Sequence, residues 1–445
     1  MKPLTRLRSS AAVWIAPVCL GIVIFYFFSA VRADAAYADM VAGPKWAPTV
    51  VEESISYFYM FAYPVAAGLG AWEAGRLKRD GVWALAPARS RHVIAVHTLL
   101  PGVITGWLML LLPTLLGLVD IGVVPSLAAL NPLLMAMALV VAHTVIGFAA
   151  GSWVNRVISA PALTLGLFYL VGWSATNEPA WQRHLSGKVA GGVMAGESLP
   201  WSTLAPPVLF AGSVAAALAL AWIPVRVPWR RAVLWTTAAL GAVAVMAGSL
   251  STVRGWNPYF APRAAGQVPV SCAGEAPRVC IPTGTGTDPA EVRKEIRDAF
   301  RRLERAGVET RMPHTIHDAS GGGRVKRETT RLTWRMAVVE QWRRGGGPLL
   351  RMSVALQEVR FPCRSTDQVN SRSARLWATT VAGAGEPYLD WQRQELRQFE
   401  NPDEIMRVMK GRVEEARKLP ADRQAAWYER ELARACTNAG KDIRS

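Results

Sequence analysis

Apolar stretches of about 20 residues recur through the first 254 positions and then stop, and no other feature limits the possible folds so strongly. A helix of that length crosses the hydrocarbon of a bilayer. Seven stretches qualify, at 12–30, 55–73, 93–118, 133–153, 157–173, 203–223 and 232–250. The fifth is the shortest and carries Pro161 near its start. Tyr57, Tyr59, Trp72, Trp153, Trp173, Trp201, Trp222 and Trp229 fall at their ends, in the pattern of an interfacial aromatic belt. Beyond residue 254 the character changes. The first 254 residues hold 17 Lys or Arg and 9 Asp or Glu, the last 191 hold 33 and 24, so charge density more than doubles. The expectation is an α-helical polytopic membrane bundle of about seven helices over residues 1–254. A mainly α soluble domain, with room for a small sheet, follows over 255–445. A wholly soluble enzyme, a disordered chain and a collagen-like repeat are excluded by this composition.

Basic residues in short loops set orientation. With the N-terminus inside, the cytoplasmic pieces carry Lys2, Arg6, Arg8, Arg76, Lys78, Arg79, Arg89, Arg91, Arg156, Arg226, Arg230 and Arg231. The outer loops carry only Arg32, Lys45, Arg183 and Lys188. Seven crossings from an inside start put residues 255–445 outside the cytoplasm. Four of the five cysteines, Cys272, Cys280, Cys363 and Cys436, lie in that tail, while Cys19 sits in the first apolar stretch. Thiols gathered in an oxidising compartment are expected to pair, and four allow three pairings. Their spacing does not fit a zinc ribbon. The net charge of +17 carries no nucleic-acid signature; the tail's arginines read as solvated helix faces, with anionic lipid headgroups as the other reading. The excess of Arg over Lys suits a GC-rich bacterial genome. Ala33-Asp34-Ala35 could mimic a signal-peptidase site, but the apolar run before it is longer than most signal sequences, so it reads as a span.

The loop over residues 72–97 is the most informative. It opens with Glu73 at a membrane exit, passes Arg76, Lys78 and Arg79, then the apolar Val82, Trp83 and Leu85, and returns through Pro87, Arg89 and Arg91. An amphipathic helix on the bilayer face would present the apolar residues to a partner and the arginines to lipid phosphates. This pattern resembles the first intracellular loop of the type-2 ABC transporter permeases, over roughly residues 1–225. In that family an acidic residue ends the second span, a short coupling helix follows, and a Leu…Pro…Arg return leads to the third. The resemblance implies a separate ATPase subunit docking on Glu73, Arg76, Arg79, Trp83, Leu85, Pro87, Arg89 and Arg91, and a homodimer or heterodimer of permeases in the bacterial cell membrane. Two departures stand out: the family usually has six spans and ends inside, whereas here a seventh span and a large outer domain are added. The plain alternative for the loop is a positive-inside anchor.

No G-x-x-x-x-G-K-[ST] occurs, so ATP hydrolysis would belong to another polypeptide. Gly102/Gly106 and Gly147/Gly151 allow close backbone approach between helices. His97 and His143 lie within spans, His143 near mid-membrane; a substrate or proton path and a hydrogen-bonded structural histidine are both open. In the tail, Asp288 with Glu291 marks a helix to Arg305 stopped at Gly307. Residues 318–324 and 345–348 read as loops, and 330–342 and 350–361 do not separate helix from strand. Three helices close the chain at 387–399, 402–418 and 420–435, the last with Ala426, Trp427, Leu432 and Cys436 as its buried stripe. His314 and His317 with Asp318 or Glu328 are the only candidate metal ligands, but Pro313 and the following glycines make a loop there. We expect no metal, no cofactor and no catalytic set. The sequence therefore points to an exporter permease subunit moving an amphipathic or lipid-like substrate. A non-transporting receptor or scaffold, whose outer domain binds a ligand or envelope partner, is the alternative.

Overall fold

The computed structural model describes residues 10–83, 90–177, 181–188, 191–225, 227–257, 259–324, 329–363, 366–399 and 401–437. Lys2, Arg6, Arg8, Leu85, Pro87, Arg89, Arg226 and Glu328 lie outside the described residues. The chain is mostly helical, at 72%. It divides into two compact units, Met1–Gly266 and Gln267–Ser445.

Among the described residues the first unit is helical apart from one two-residue strand pair, β1 (Glu197–Ser198) with β2 (Ala264–Ala265), and its connecting loops. α1 (Ala11–Tyr26) runs into a π-helical turn (Phe27–Val31), then come α2 (Ala35–Ala42), α3 (Ala47–Ser56), α4 (Tyr59–Arg79), α5 (Arg91–Ile121), α6 (Asn131–Trp153), α7 (Arg156–Thr176), the single turn α8 (Trp181–Leu185), α9 (Trp201–Leu220) and α10 (Pro228–Arg254). Among the described residues six helices are long and apolar enough to cross a membrane: Ala11–Val31, Arg91–Ile121, Leu127–Trp153, Arg156–Thr176, Trp201–Leu220 and Pro228–Arg254. The expected second span, 55–73, corresponds to two elements broken at Tyr57 and Phe58, and α4 is not among the six. Its composition explains this. α4 is the innermost helix, packed against α1, α5, α6 and α7. It is built from Ala62, Ala66, Ala67, Gly68, Gly70, Ala71, Ala74 and Gly75, nearly all fully buried. A helix enclosed by other helices needs small residues more than it needs hydropathy. A Cβ at Gly147 would run into the Ala67 carbonyl, and one at Gly151 into the Ala71 carbonyl, so α6 touches α4 backbone to backbone. Gly106 faces Val140 and Ala66, and Gly102 faces Leu69, at a looser distance.

The second unit wraps helices around a four-stranded sheet in the order β3-β4-β5-β6: Val270–Ala273, Arg278–Pro282, Thr315–Asp318 and Thr333–Met336. β3 and β4 are antiparallel, and β5 and β6 add in parallel. α11 (Pro289–Arg305) buries Val292, Ile296, Ala299, Phe300 and Leu303, one stripe at helical spacing. Asp288 caps it through Ala290 N (2.8 Å). Gly307 ends it at φ +80°, a left-handed turn that lets the Val308 amide bond back to Leu303. Phe300 and Trp334 meet at the centre of the core, with Trp377, Tyr388 and Tyr428 further along it. α12 (Val338–Glu358), α13 (Gln368–Val381), α14 (Gly385–Glu395), α15 (Pro402–Arg417) and α16 (Ala421–Thr437) complete the unit.

Cys272 and Cys280 are directly opposite on β3 and β4 and form one disulfide; Cys363 and Cys436 form the other, tying the segment before α13 to the end of α16. The ambiguous residues resolve as β6 followed by α12, a helix that kinks at Gly345 and Gly346, where the loop was expected. α13 was not foreseen, and His317 stands on a strand where a loop was read. The stripe of α16 is shifted: Tyr428, Glu431, Leu432 and Ala435 are buried, Ala426 is exposed, and Trp427 and Cys436 are half-buried. The helix turns about one position from the reading because Tyr428 stacks on Trp377 (4.9 Å).

Candidate functional site

Two carboxylates, one towards each end of the helical unit, organise its polar chemistry. Glu73 lies near the C-terminal end of α4 with 2% of its surface exposed. Its Oε1 accepts from Ser10 Oγ (3.0 Å) and from the Ala11 amide (2.9 Å), and Arg76 sits 2.8 Å from its other oxygen. A carboxylate at the start of α1 satisfies an orphan N–H and meets the positive end of the helix dipole. Glu73 thereby ties α4 to α1.

Beyond Glu73, α4 leaves its small-residue core as a basic tip. Lys78, Arg79 and Asp80 are exposed, as are Ser90 and Arg91 across the loop. Val82 and Trp83 are half-buried and join Ala74, Leu77, Ala95, Leu99 and Phe148 in a small apolar cluster. The Val82 amide bonds back to Leu77 (3.2 Å), and the Arg91 guanidinium stands 5.8 Å over the Trp83 ring. The observed turn therefore folds Trp83 onto its own bundle, where the amphipathic-helix reading turned it towards a partner. Arg156 packs 4.6 Å over Trp72, and His92 Nε2 lies 2.9 Å from the Ala219 carbonyl, so α7 and α9 close the same end.

The opposite arrangement surrounds Glu52. α3 is buried on nearly every face, and Glu52 is 1% exposed. The Val193 amide donates to its carboxyl; Oε2 has no hydrogen-bond partner among the described residues. Burial, then the neighbouring Glu53, push the carboxyl up to about 8 against the attraction of Lys188 and Arg263. Lys188 is driven down by burial, and His184 is driven down to about 4 by burial and then by Arg183 and Arg263. These groups lie under a cover whose core is a buried ion pair. Arg263 meets Glu197 at 3.1 Å with 6% and 1% of the side chains exposed. Arg263 also donates to the Gly192 carbonyl (3.1 Å), Trp46 Nε1 donates to the Glu197 carbonyl (2.6 Å), and Glu197–Ser198 pairs with Ala264–Ala265. A cavity of about 10 Å³, room for one water, is lined here by Met135, His184, Gly187, Lys188, Thr203 and Trp256.

A ladder of rings descends from this end. Tyr59 and Tyr63 stack at 5.6 Å, one helical turn apart on α4, and Tyr63 stacks on His143 of α6 at 5.0 Å with the planes 2° apart. His143 Nδ1 lies 2.8 Å from the Leu139 carbonyl, while His97 is exposed on α5. Asp120 accepts from the Tyr37 hydroxyl (2.8 Å) and pairs with Arg32 (3.3 Å). Sequence reading singled out His143 but passed over Glu52; the paired Glu52-Glu53 just ahead of an apolar run was the available signal.

In the second unit, Asp318 accepts from the Val339 amide (2.8 Å) and the Ser320 amide (2.8 Å), and burial raises its carboxyl. It caps α12. Among the described residues no three His, Cys, Asp or Glu side chains gather as a metal would need.

Six apolar membrane-length helices, joined to a helical, twice disulfide-bonded C-terminal unit, define a polytopic membrane protein. The chain matches no family model, no curated protein and no solved structure.

Proposed function

We propose that this chain is the membrane-spanning permease subunit of an ABC-type exporter, working as a dimer with a separate ATPase. α4 would be the remaining span, the N-terminus would face the cytoplasm, and the disulfide-bonded unit would lie outside it. The ATPase would dock on the tip of α4, and its closure would move a helix that touches α1, α5, α6 and α7. An amphipathic or lipid-like substrate would leave through the rearranged bundle.

The observation that carries this reading is the Glu73 joint. A loop meant only as a positive-inside anchor needs charge near the membrane and nothing more. Here the exposed Lys78 and Arg79 extend the innermost helix, and a buried carboxylate couples that helix to α1, so force applied at the tip has a stiff path inward.

A mild-detergent pull-down of the tagged protein from native membranes, read by mass spectrometry, tests it. The wild type should recover a stoichiometric ABC ATPase, and Lys78→Glu with Arg79→Glu should lose it. Both side chains are exposed, so this variant keeps the fold, whereas substituting the half-buried Trp83 would also disturb packing. Recovery of the protein without an ATPase removes the reading and favours the outer unit as a receptor or scaffold.

A further inference from the structure

We propose that Arg372, Arg375, Tyr388 and Gln392 of the second unit form a binding site for a phosphate group, carried by a small molecule or by a lipid headgroup. The site is independent of the permease reading. Two cations here lack a counter-ion. Elsewhere in this unit Arg351 pairs with Glu295, and Arg412 with Glu431 at 3.4 Å. Arg372 and Arg375 are half-buried, yet neither side chain has an ion pair or a hydrogen bond among the described residues. Taking a charge out of water without a partner is costly, so an unpaired couple of arginines wants a functional explanation.

Their surroundings supply one. α13 and α14 form a helical hairpin that turns at Gly383 (φ +79°). Arg372 and Arg375 stand one turn apart on α13, and Tyr388, Gln392 and Glu395 follow at helical spacing along one face of α14. Tyr388 is 0% exposed and Gln392 2%. The Tyr388 hydroxyl, Gln392 Oε1 and Arg372 Nη1 are all buried, and none has a hydrogen-bond partner among the described residues. Both guanidinium groups act electrostatically on the Tyr388 hydroxyl, and they oppose one another. Glu395 attracts Arg372 from the exposed end of α14 without forming an ion pair. A ring packs against each arginine: the Arg372 guanidinium lies 5.0 Å over Phe399, and that of Arg375 lies 5.3 Å over Phe361.

The unpaired groups make a complementary set for one ligand. Two guanidinium forks and a phenolic hydroxyl donate, and the Gln392 oxygen accepts. Phosphate oxygens take charge-assisted bonds from all three donors. A phosphate that keeps its proton, or has a hydroxyl beside it, also gives Gln392 the donor it lacks. A bare carboxylate is an acceptor only and would leave Gln392 unpaired. The phenylalanine rings hold the guanidinium planes before binding, which lowers the ordering cost. Because both arginines are half-buried, the site is reached from the surface.

Isothermal titration of the full-length protein in detergent with inorganic phosphate, in a phosphate-free buffer at constant ionic strength, tests the proposal. The wild type should bind phosphate saturably. Arg372→Gln and Arg375→Gln should each weaken binding about tenfold or more, as the loss of a charge-assisted bond entails. Tyr388→Phe should weaken it about threefold or more. That variant should not lower the unfolding temperature of the ligand-free protein, because the hydroxyl it removes is unpaired; a merely structural hydroxyl would lower it and leave binding alone. Short-chain phosphatidylglycerol added in competition separates the two sources. Displacement of phosphate assigns the site to a lipid headgroup, and no displacement assigns it to a soluble phosphate. Absence of saturable phosphate binding in the wild type, or binding unaltered in Tyr388→Phe, would overturn the proposal. The tyrosine variant keeps the test decisive should an arginine variant fold poorly, since it preserves the ring and its packing.

Discussion

Glu73 and Glu52 are the same residue type at comparable burial, yet the bundle treats them in opposite ways. Glu73 receives a hydroxyl, a helix N-terminus and an arginine, so its charge is the feature being used. Glu52 receives one amide and stands buried beside Glu53, so its charge is the feature being resisted. Burial alone therefore does not tell whether a carboxylate is a joint or a titrating site; the census of donors does. Glu73 reads as a mechanical connection, and Glu52 as a group ready to change state.

The contrast predicts different failures. Glu73→Ala should cost the most, about 3–5 kcal/mol, because it removes the buried carboxylate that accepts from Ser10 and the start of α1 and pairs with the half-buried Arg76; thermal unfolding in detergent should show this loss. Glu52→Gln should show an effect that depends on pH. The Glu52 carboxyl is raised from 4.5 to about 8 in the folded chain, so the stability it contributes is complete below 4.5 and is lost as pH rises through 8. The full shift is equivalent to on the order of 5 kcal/mol at 1.36 kcal/mol per unit, and the glutamine variant should flatten this alkaline fall in the unfolding temperature.

His184 should give a smaller effect with the opposite sign. Its value falls from 6.5 to about 4, so the stability it contributes is present above 6.5 and lost as pH falls through 4. His184→Asn should reduce the acid-side loss by roughly 1–3 kcal/mol in the same unfolding series. Smallest of all is Arg79→Glu, whose exposed 3.5 Å contact with Asp80 should change stability by less than about 0.5 kcal/mol. If Arg79→Glu destabilises as much as Glu73→Ala, the basic tip is part of the joint and not a docking surface.

How much of this was legible in the sequence follows from which interactions leave a local trace. Apolar length marked the helices, except at α4, where alanine and glycine replace hydropathy because the neighbours are other helices. Cysteine count and position pointed to two disulfides, but the pairing is fixed by strands and helices far apart in sequence, Cys363 and Cys436 being separated by 73 residues. Asp288 and Gly307 bounded α11 because caps are local. α13 carries a weaker pattern, with Asn370, Ser371, Ser373 and Thr379 buried alongside Trp377, so polarity hid its inner face. At the site, Glu73 stood out by its place at a predicted membrane exit, but its bond to Ala11 spans 62 residues. Glu52 was passed over because its partners arrive from residues 188–197 and 263, a closure that no sequence window contains.

The permease reading meets its most direct test in native membranes, with a photo-crosslinking residue placed at position 79 and, in a separate protein, at position 34. Arg79 belongs to the exposed tip of α4, and Asp34 caps α2 beyond the far end of α1. The account predicts an adduct with an ABC ATPase from position 79 and none from position 34. An ATPase adduct from position 34, or none from position 79 in membranes that contain the ATPase, would contradict it.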